Sequence, residues 1–178
     1  AAQTLRIERL RAADALSETV TGLLAELGMA GGRFAVELED NPESLPQSHG
    51  LERCEFMVSA NPGQPLRALR KVASGGELAR ISLAIEVATL GSDPVPTMVF
   101  DEVDAGIGGA VAETVGRKLR ALGGRCQVLA VTHLAQVASF GNRHLRVAKQ
   151  TDGEATESQV IPMLGSDRVH EIARMMGG

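Results

Sequence analysis

The sequence has no tryptophan and no tyrosine, and its four phenylalanines, Phe34, Phe56, Phe100 and Phe140, are scattered along 178 residues. A basic groove with stacking aromatics, the signature of a single-strand nucleic-acid binder, is therefore missing, and the formal net charge of −4 agrees with that. The short run Arg67, Arg70 and Lys71 reads as a solvated edge. Cysteine is nearly absent too. Cys54 and Cys126 stand far apart in apolar, strand-like contexts, without the paired spacing of a metal or redox motif, and are expected as buried thiols in a reducing compartment. No apolar run approaches the ~18 residues of a membrane span and no signal peptide opens the chain, so a cytosolic protein without a membrane partner is expected. The chain starts at Ala1, inside what reads as a helix, as a segment of a longer polypeptide would. Its 44% hydrophobic content suffices for one well-buried core and is short for two.

What is present is concentrated in the middle. In "SGGELARISLAIE", residues 74 to 86, Ser74 and Glu77 have the spacing of a capping box, so a helix starts at Ser74. Leu78, Ile81, Ile85 and Ala88 share one face of it, and Leu83, Val87 and Leu90 add a second, which predicts a helix buried on most sides. Gly75 and Gly76 sit where that helix needs good formers, at about 1 kcal/mol each relative to alanine in a helix interior. A first turn without side chains lets another group approach its free N–H donors, as phosphates do at helix N-termini; a flexible loop entering a core helix is the plain alternative.

Around this helix the pattern is α/β. Residues 3 to 28 read as a helix, with Leu16, Val20, Leu23 and Leu27 in a stripe that fits either a surface helix or the end of a coiled coil. Alternation of Phe34, Val36 and Leu38, and of Cys54, Phe56 and Val58, predicts two half-exposed antiparallel strands across the polar loop 40 to 50. "PTMVFDE" and "CQVLAVTH" are continuous apolar runs of the kind buried on both faces of a parallel sheet. The helix between them carries Val111, Val115, Leu119 and Leu122 on one face, so together they form a βαβ unit. A short helix near 134 to 139, strands near 143 to 149 and 156 to 162 joined through Asp152-Gly153, and a helix from about 166 to 176 complete the reading.

Both parallel strands end in polar residues, Asp101-Glu102 and Thr132-His133, and open α/β sheets place ligands at that edge. Two carboxylates there suit phosphoryl transfer: one holds Mg²⁺ directly or through its waters, the other orients and deprotonates the attacking water. His133 could donate to a phosphate oxygen. Taken singly, Asp-Glu after a strand is commonly a cap and a strand-end histidine is commonly structural. No G-x-x-x-x-G-K-[ST] occurs, so these carboxylates lack a nucleotide cradle.

"SGGE" resembles the signature motif of ABC-type ATPases, "TMVFDE" their Walker B strand, "DAG" at 104 to 106 their D-loop and "VTH" at 131 to 133 their switch histidine. Within that family, "KVASGGELARISLAIE", "VFDEVDAGIGG" and "VTHLAQVAS" look most like the RecN branch, bacterial double-strand-break repair proteins related to SMC. SMC heads proper usually have leucine where this chain has Ala73. The resemblance implies the C-terminal lobe of an ATPase head over residues 29 to 178, with residues 1 to 28 as the helical base of a coiled-coil arm. ATP and Mg²⁺ are implied as ligands. Asp101 would then position Mg²⁺, Glu102 would be the general base and His133 would sense the γ-phosphate. Ser74, Gly75, Gly76 and Glu77 would meet that phosphate from across a dimer of heads, and Asp104 would link the two sites. Implied partners are an N-terminal Walker A lobe of the same polypeptide, a second head and DNA, in the bacterial cytoplasm at the nucleoid. A non-catalytic module that uses nucleotide only for assembly, or another SMC-like head, remain the alternatives.

Overall fold

The computed structural model describes residues 2–40, 50–90, 95–151 and 156–177. Most of the expected loop between the first two strands, and the Asp152-Gly153 turn, lie outside them. A long helix α1 (Ala2–Glu26) leads into strands β1 (Arg33–Asp40), β2 (Glu52–Ser59) and a short β3 (Arg67–Ala68). Helix α2 (Gly75–Ala88), strand β4 (Thr97–Phe100), helix α3 (Gly109–Leu122) and strand β5 (Gln127–Ala130) follow. The chain ends with α4 (Ala135–Ala138), a hairpin β6 (His144–Thr151) and β7 (Thr156–Met163), and α5 (Gly165–Met175). The fold is α/β, as the sequence predicts.

The first sheet is antiparallel in the order β1-β2-β3, with Phe34 opposite Val58, Val36 opposite Phe56 and Leu38 opposite Cys54. Its inner face packs on α1, whose Val20 and Leu24, with Leu27 just beyond the helix, are fully buried in one core cluster with Ile81 and Leu83 of α2. The edge of β1 would expose unpaired backbone groups, a known liability, and α1 covers it: the Phe34 N–H donates to Thr21 Oγ1 at 3.0 Å and the Val36 N–H to Ser17 Oγ at 3.0 Å. The C-terminal half of α1 thus belongs to the core, whereas Leu5, Ile7 and Leu10 in its N-terminal half are exposed.

Burial is uneven along the β1–β2 hairpin. Phe34 and Val58 are buried, Val36 and Phe56 half-buried, Cys54 exposed, and Glu52 beyond it is 2% exposed. The expectation of a buried thiol at Cys54 is therefore corrected: α1 meets this end of the hairpin through Arg6 and Arg9, paired with Asp40 and Glu52, and not through an apolar cover. Cys126 is half-buried. Helix α2 is enclosed as predicted apart from Leu78, which is exposed.

The βαβ unit forms, with β4 and β5 parallel and Met98 beside Val128, Val99 beside Leu129. Burial on both faces does not hold. Met98 and Val128 pack on the core, but Val99, Leu129 and Val131 are 66%, 46% and 60% exposed, because nothing among the described residues lies over that face. The β6–β7 hairpin repeats this condition with Leu145, Val147 and Val160.

Candidate functional site

The helix at 74 begins as its capping box dictates. Ser74 is the N-cap with extended backbone, and its Oγ accepts from the Glu77 N–H at 3.3 Å. Parallel pairing of β4 and β5 brings the segments after them to one edge. Asp101 and Glu102 are both exposed there, and Asp101 Oδ1 accepts the Glu102 N–H at 2.9 Å. Glu102 has φ of +58°, the one non-glycine residue in the left-handed region among those described. Such a conformation costs on the order of 1–3 kcal/mol and persists where neighbours enforce it, commonly at functional sites.

Asp104 is the hub of this edge. It is 2% exposed, and its Oδ2 accepts from the Thr132 hydroxyl, from the His133 N–H at 3.0 Å and from the Leu134 N–H at 3.4 Å. His133 Nδ1 lies 3.3 Å from the same oxygen while most of the imidazole faces solvent. A buried carboxylate with this many donors is well compensated. It ties the segment after β4 to the segment after β5, so the expected company of Asp101, Glu102 and His133 is built into the chain.

The two glycines complete the convergence. A Cβ at position 75 would collide with Glu102 Oε2, and one at 76 would lie 2.9 Å from Ala105 Cβ and 3.2 Å from the Ala105 carbonyl oxygen. At Gly76 the bare first turn of α2 therefore admits the chain's own Ala105 peptide, a local reason for that glycine beside the one expected from the sequence, whereas the Glu102 carboxylate beside Gly75 is the free end of an exposed side chain. Arg80, one turn further along, is 7% exposed and donates from Nη1 to the Ala105 carbonyl at 2.8 Å. The sequence reading passed over it. Its signal was a cation in the row Gly76, Arg80, Ala84 and Val87, where the helix is otherwise apolar or small. Thr132 was likewise given no role of its own.

All the residues expected at the site thus lie on three segments, 74–80, 101–106 and 132–134, of which the middle one touches each of the other two. Among the described residues no group of three or more His, Cys, Asp or Glu side chains could hold a metal ion. One exposed carboxylate, Asp101, fits a Mg²⁺ held mainly by phosphates and water, the mode in which that ion usually binds.

The sequence matches a DNA repair protein RecN from Xylella fastidiosa at 57% identity over all 178 residues. RecN proteins of Vibrio cholerae and Streptomyces coelicolor match at 46% and 43% over essentially the whole chain. Over its whole length this chain is a RecN-type sequence. It spans about a third of the length of those RecN relatives. No family model matches. In fold it resembles the Smc head domain of Pyrococcus yayanosii, with a TM-score of 0.65 at 23% identity over 94% of this chain and 30% of that one. An SMC ATPase chain of nearly the same extent gives a TM-score of 0.55, with 95% of each chain covered. The RecN match and the SMC-head fold bear out the resemblance read from residues 74 to 133. No helix among the described residues is long and apolar enough to cross a membrane.

Proposed function

We propose that this chain is the C-terminal lobe of an SMC-like ATPase head that works in DNA double-strand-break repair. The observation that carries the reading is the contact of segment 101–106, at the C-terminal edge of β4 and β5, with both 74–80 and 132–134, in a sequence that has an exposed Asp-Glu pair there and no phosphate-cradle motif. Support also comes from the RecN relatives, described as DNA repair proteins and about three times as long.

An N-terminal Walker A lobe supplies the missing cradle and covers the apolar face of Val99, Leu129 and Val131. Residues 1 to 28 are the base of a coiled-coil arm and residues 29 to 178 the lobe itself. ATP lies between two heads, with Ser74, Gly75, Gly76 and Glu77 of one facing the nucleotide held by the other. Asp101 holds Mg²⁺, which neutralises charge on the phosphates when bound. Glu102 orients the attacking water and takes its proton as the new oxygen–phosphorus bond forms and the bond to ADP breaks. His133, fixed from behind by Asp104, faces solvent where a γ-phosphate oxygen would accept from it. The RecN relationship supports DNA binding and a place at the bacterial nucleoid.

The test is Glu102→Gln in a full-length protein, made by placing these 178 residues in the matching third of the Xylella fastidiosa relative. The amide still orients water but cannot accept its proton, so turnover falls about 10²- to 10⁴-fold while ATP binding is kept. ATP-bound dimers accumulate on sizing columns. Normal turnover in this variant removes Glu102 from the chemistry.

A further inference from the structure

Arg80 is a buried guanidinium with little to compensate it. Nη1 has the Ala105 carbonyl, Nε is buried without a partner among the described residues, and burial lowers its pKa against the pull of Glu77. Taking a cation out of water on these terms is expensive, and an apolar side chain of similar volume at the same place would cost far less. What the guanidinium does there is grip one peptide. The Ala105 N–H donates back to the Glu102 carbonyl at 3.0 Å, closing the turn in which Glu102 is held at φ of +58°, and Arg80 takes the Ala105 carbonyl. Gly76 leaves room for that peptide to reach α2, since a Cβ there would also crowd Arg80 Nη1 at 3.3 Å.

We propose that Arg80 is a positioning residue that locks the 102–106 turn onto the first turn of α2, so that Glu102 keeps its place relative to Ser74, Gly75 and Gly76 when the site is completed. The inference rests on the ATPase reading above. Arg80 touches none of the reacting atoms, so it acts through the turn. Because Asp104 belongs to the same turn and grips Thr132 and His133, one grip at Ala105 fixes three of the site's segments together.

The experiment uses the same full-length protein carrying Arg80→Met or Arg80→Lys, with kcat and KM for ATP measured separately. Arg80→Met lowers kcat about 10- to 100-fold, the scale of a small misplacement at a reacting centre. KM stays within about threefold, because the phosphate cradle is untouched. Arg80→Lys, which keeps a donor close to the Ala105 carbonyl, recovers most of the loss. Wild-type kcat in Arg80→Met, or a loss that lies in KM instead, overturns the proposal, as does a lysine variant no better than methionine. Should Arg80→Met fail to fold, Arg80→Gln is read by the same split, since its amide ends near the present Nε position, short of the carbonyl. A parent protein that hydrolyses no ATP takes down the ATPase reading and this proposal with it. If the parent hydrolyses ATP and Glu102→Gln stops it while Arg80→Met leaves kcat unchanged, the role of Arg80 alone is lost.

Discussion

The first sheet is built from strands that alternate apolar and polar residues and the β4–β5 pair from continuous apolar runs, yet it is the first that is covered within the chain and the second that is not. On β1–β2–β3 the inner face is closed by α1 and α2, with Phe34 and Val58 buried, and the β1 edge is hydrogen-bonded by Ser17 and Thr21. On β4–β5 one face rests on the core through Met98 and Val128 while the other presents Val99, Leu129 and Val131 to solvent. The unfinished sheet is the one whose ends carry Asp101, Glu102 and His133. Under the proposed ATPase reading, chemistry and incompleteness coincide, as they do when a site is shared between two parts of a longer polypeptide.

Substitutions can sharpen that contrast. Phe34→Ala removes a buried ring that also stacks edge-on against Phe56 at 5.3 Å, and thermal or denaturant unfolding of the chain should show a loss of about 3–5 kcal/mol. Val99→Thr with Leu129→Thr, on the uncovered face, should change the stability of the isolated chain by no more than about 0.5 kcal/mol each. The same pair should weaken association with the N-terminal part of a RecN relative, measured by co-purification. If the pair unfolds the isolated chain as Phe34→Ala does, that face is part of its own core and the contrast is lost.

A smaller effect concerns α5, whose buried Glu171 pairs within the helix with Arg174 and across to Arg146 of β6. Glu171 is 5% exposed and takes a two-pronged bond from Arg174, at 3.0 and 2.6 Å, with Arg146 of β6 at 3.5 Å. The Arg174 hydrogen bonds hold its carboxyl below the usual carboxylate range. A pKa lower in the folded than in the unfolded state gives a contribution that is complete above the ordinary carboxylate range and is lost as pH falls through the folded value. Glu171→Gln should therefore be less stable than the parent at neutral pH, with the two unfolding curves converging in acid. Curves that stay parallel through the acid range would show that the carboxylate contributes nothing to holding α5.

What the sequence could tell followed the range of its signals. The start of α2 was legible because Ser74 and Glu77 are three residues apart and the Ser74 hydroxyl caps the Glu77 N–H locally, and the βαβ unit because apolar periodicity changes where the elements change. The edge holding Asp101, Glu102 and His133 followed from parallel pairing alone. The open face of β4–β5 was not legible, since a continuous apolar run looks the same whether its second face is covered by this chain or by another. Cys54 misled for a related reason: alternation names a face but not whether the covering helix offers an apolar or a charged side chain at each position, and near Cys54 it offers Arg6 and Arg9. Asp104 holding Thr132 and His133, and Arg80 gripping Ala105, join residues 25 or more apart, and no local pattern announces such contacts.

The central claim is that hydrolysis is divided, with the carboxylates here and the phosphate cradle elsewhere. Its most direct test is steady-state ATP turnover by the purified 178-residue chain, alone and after co-expression with the remaining two thirds of the Xylella fastidiosa relative. The account predicts no turnover above background for the chain alone, and turnover with the complementary part that disappears on Glu102→Gln. Robust hydrolysis by the chain alone, abolished by Asp101→Ala, would contradict it.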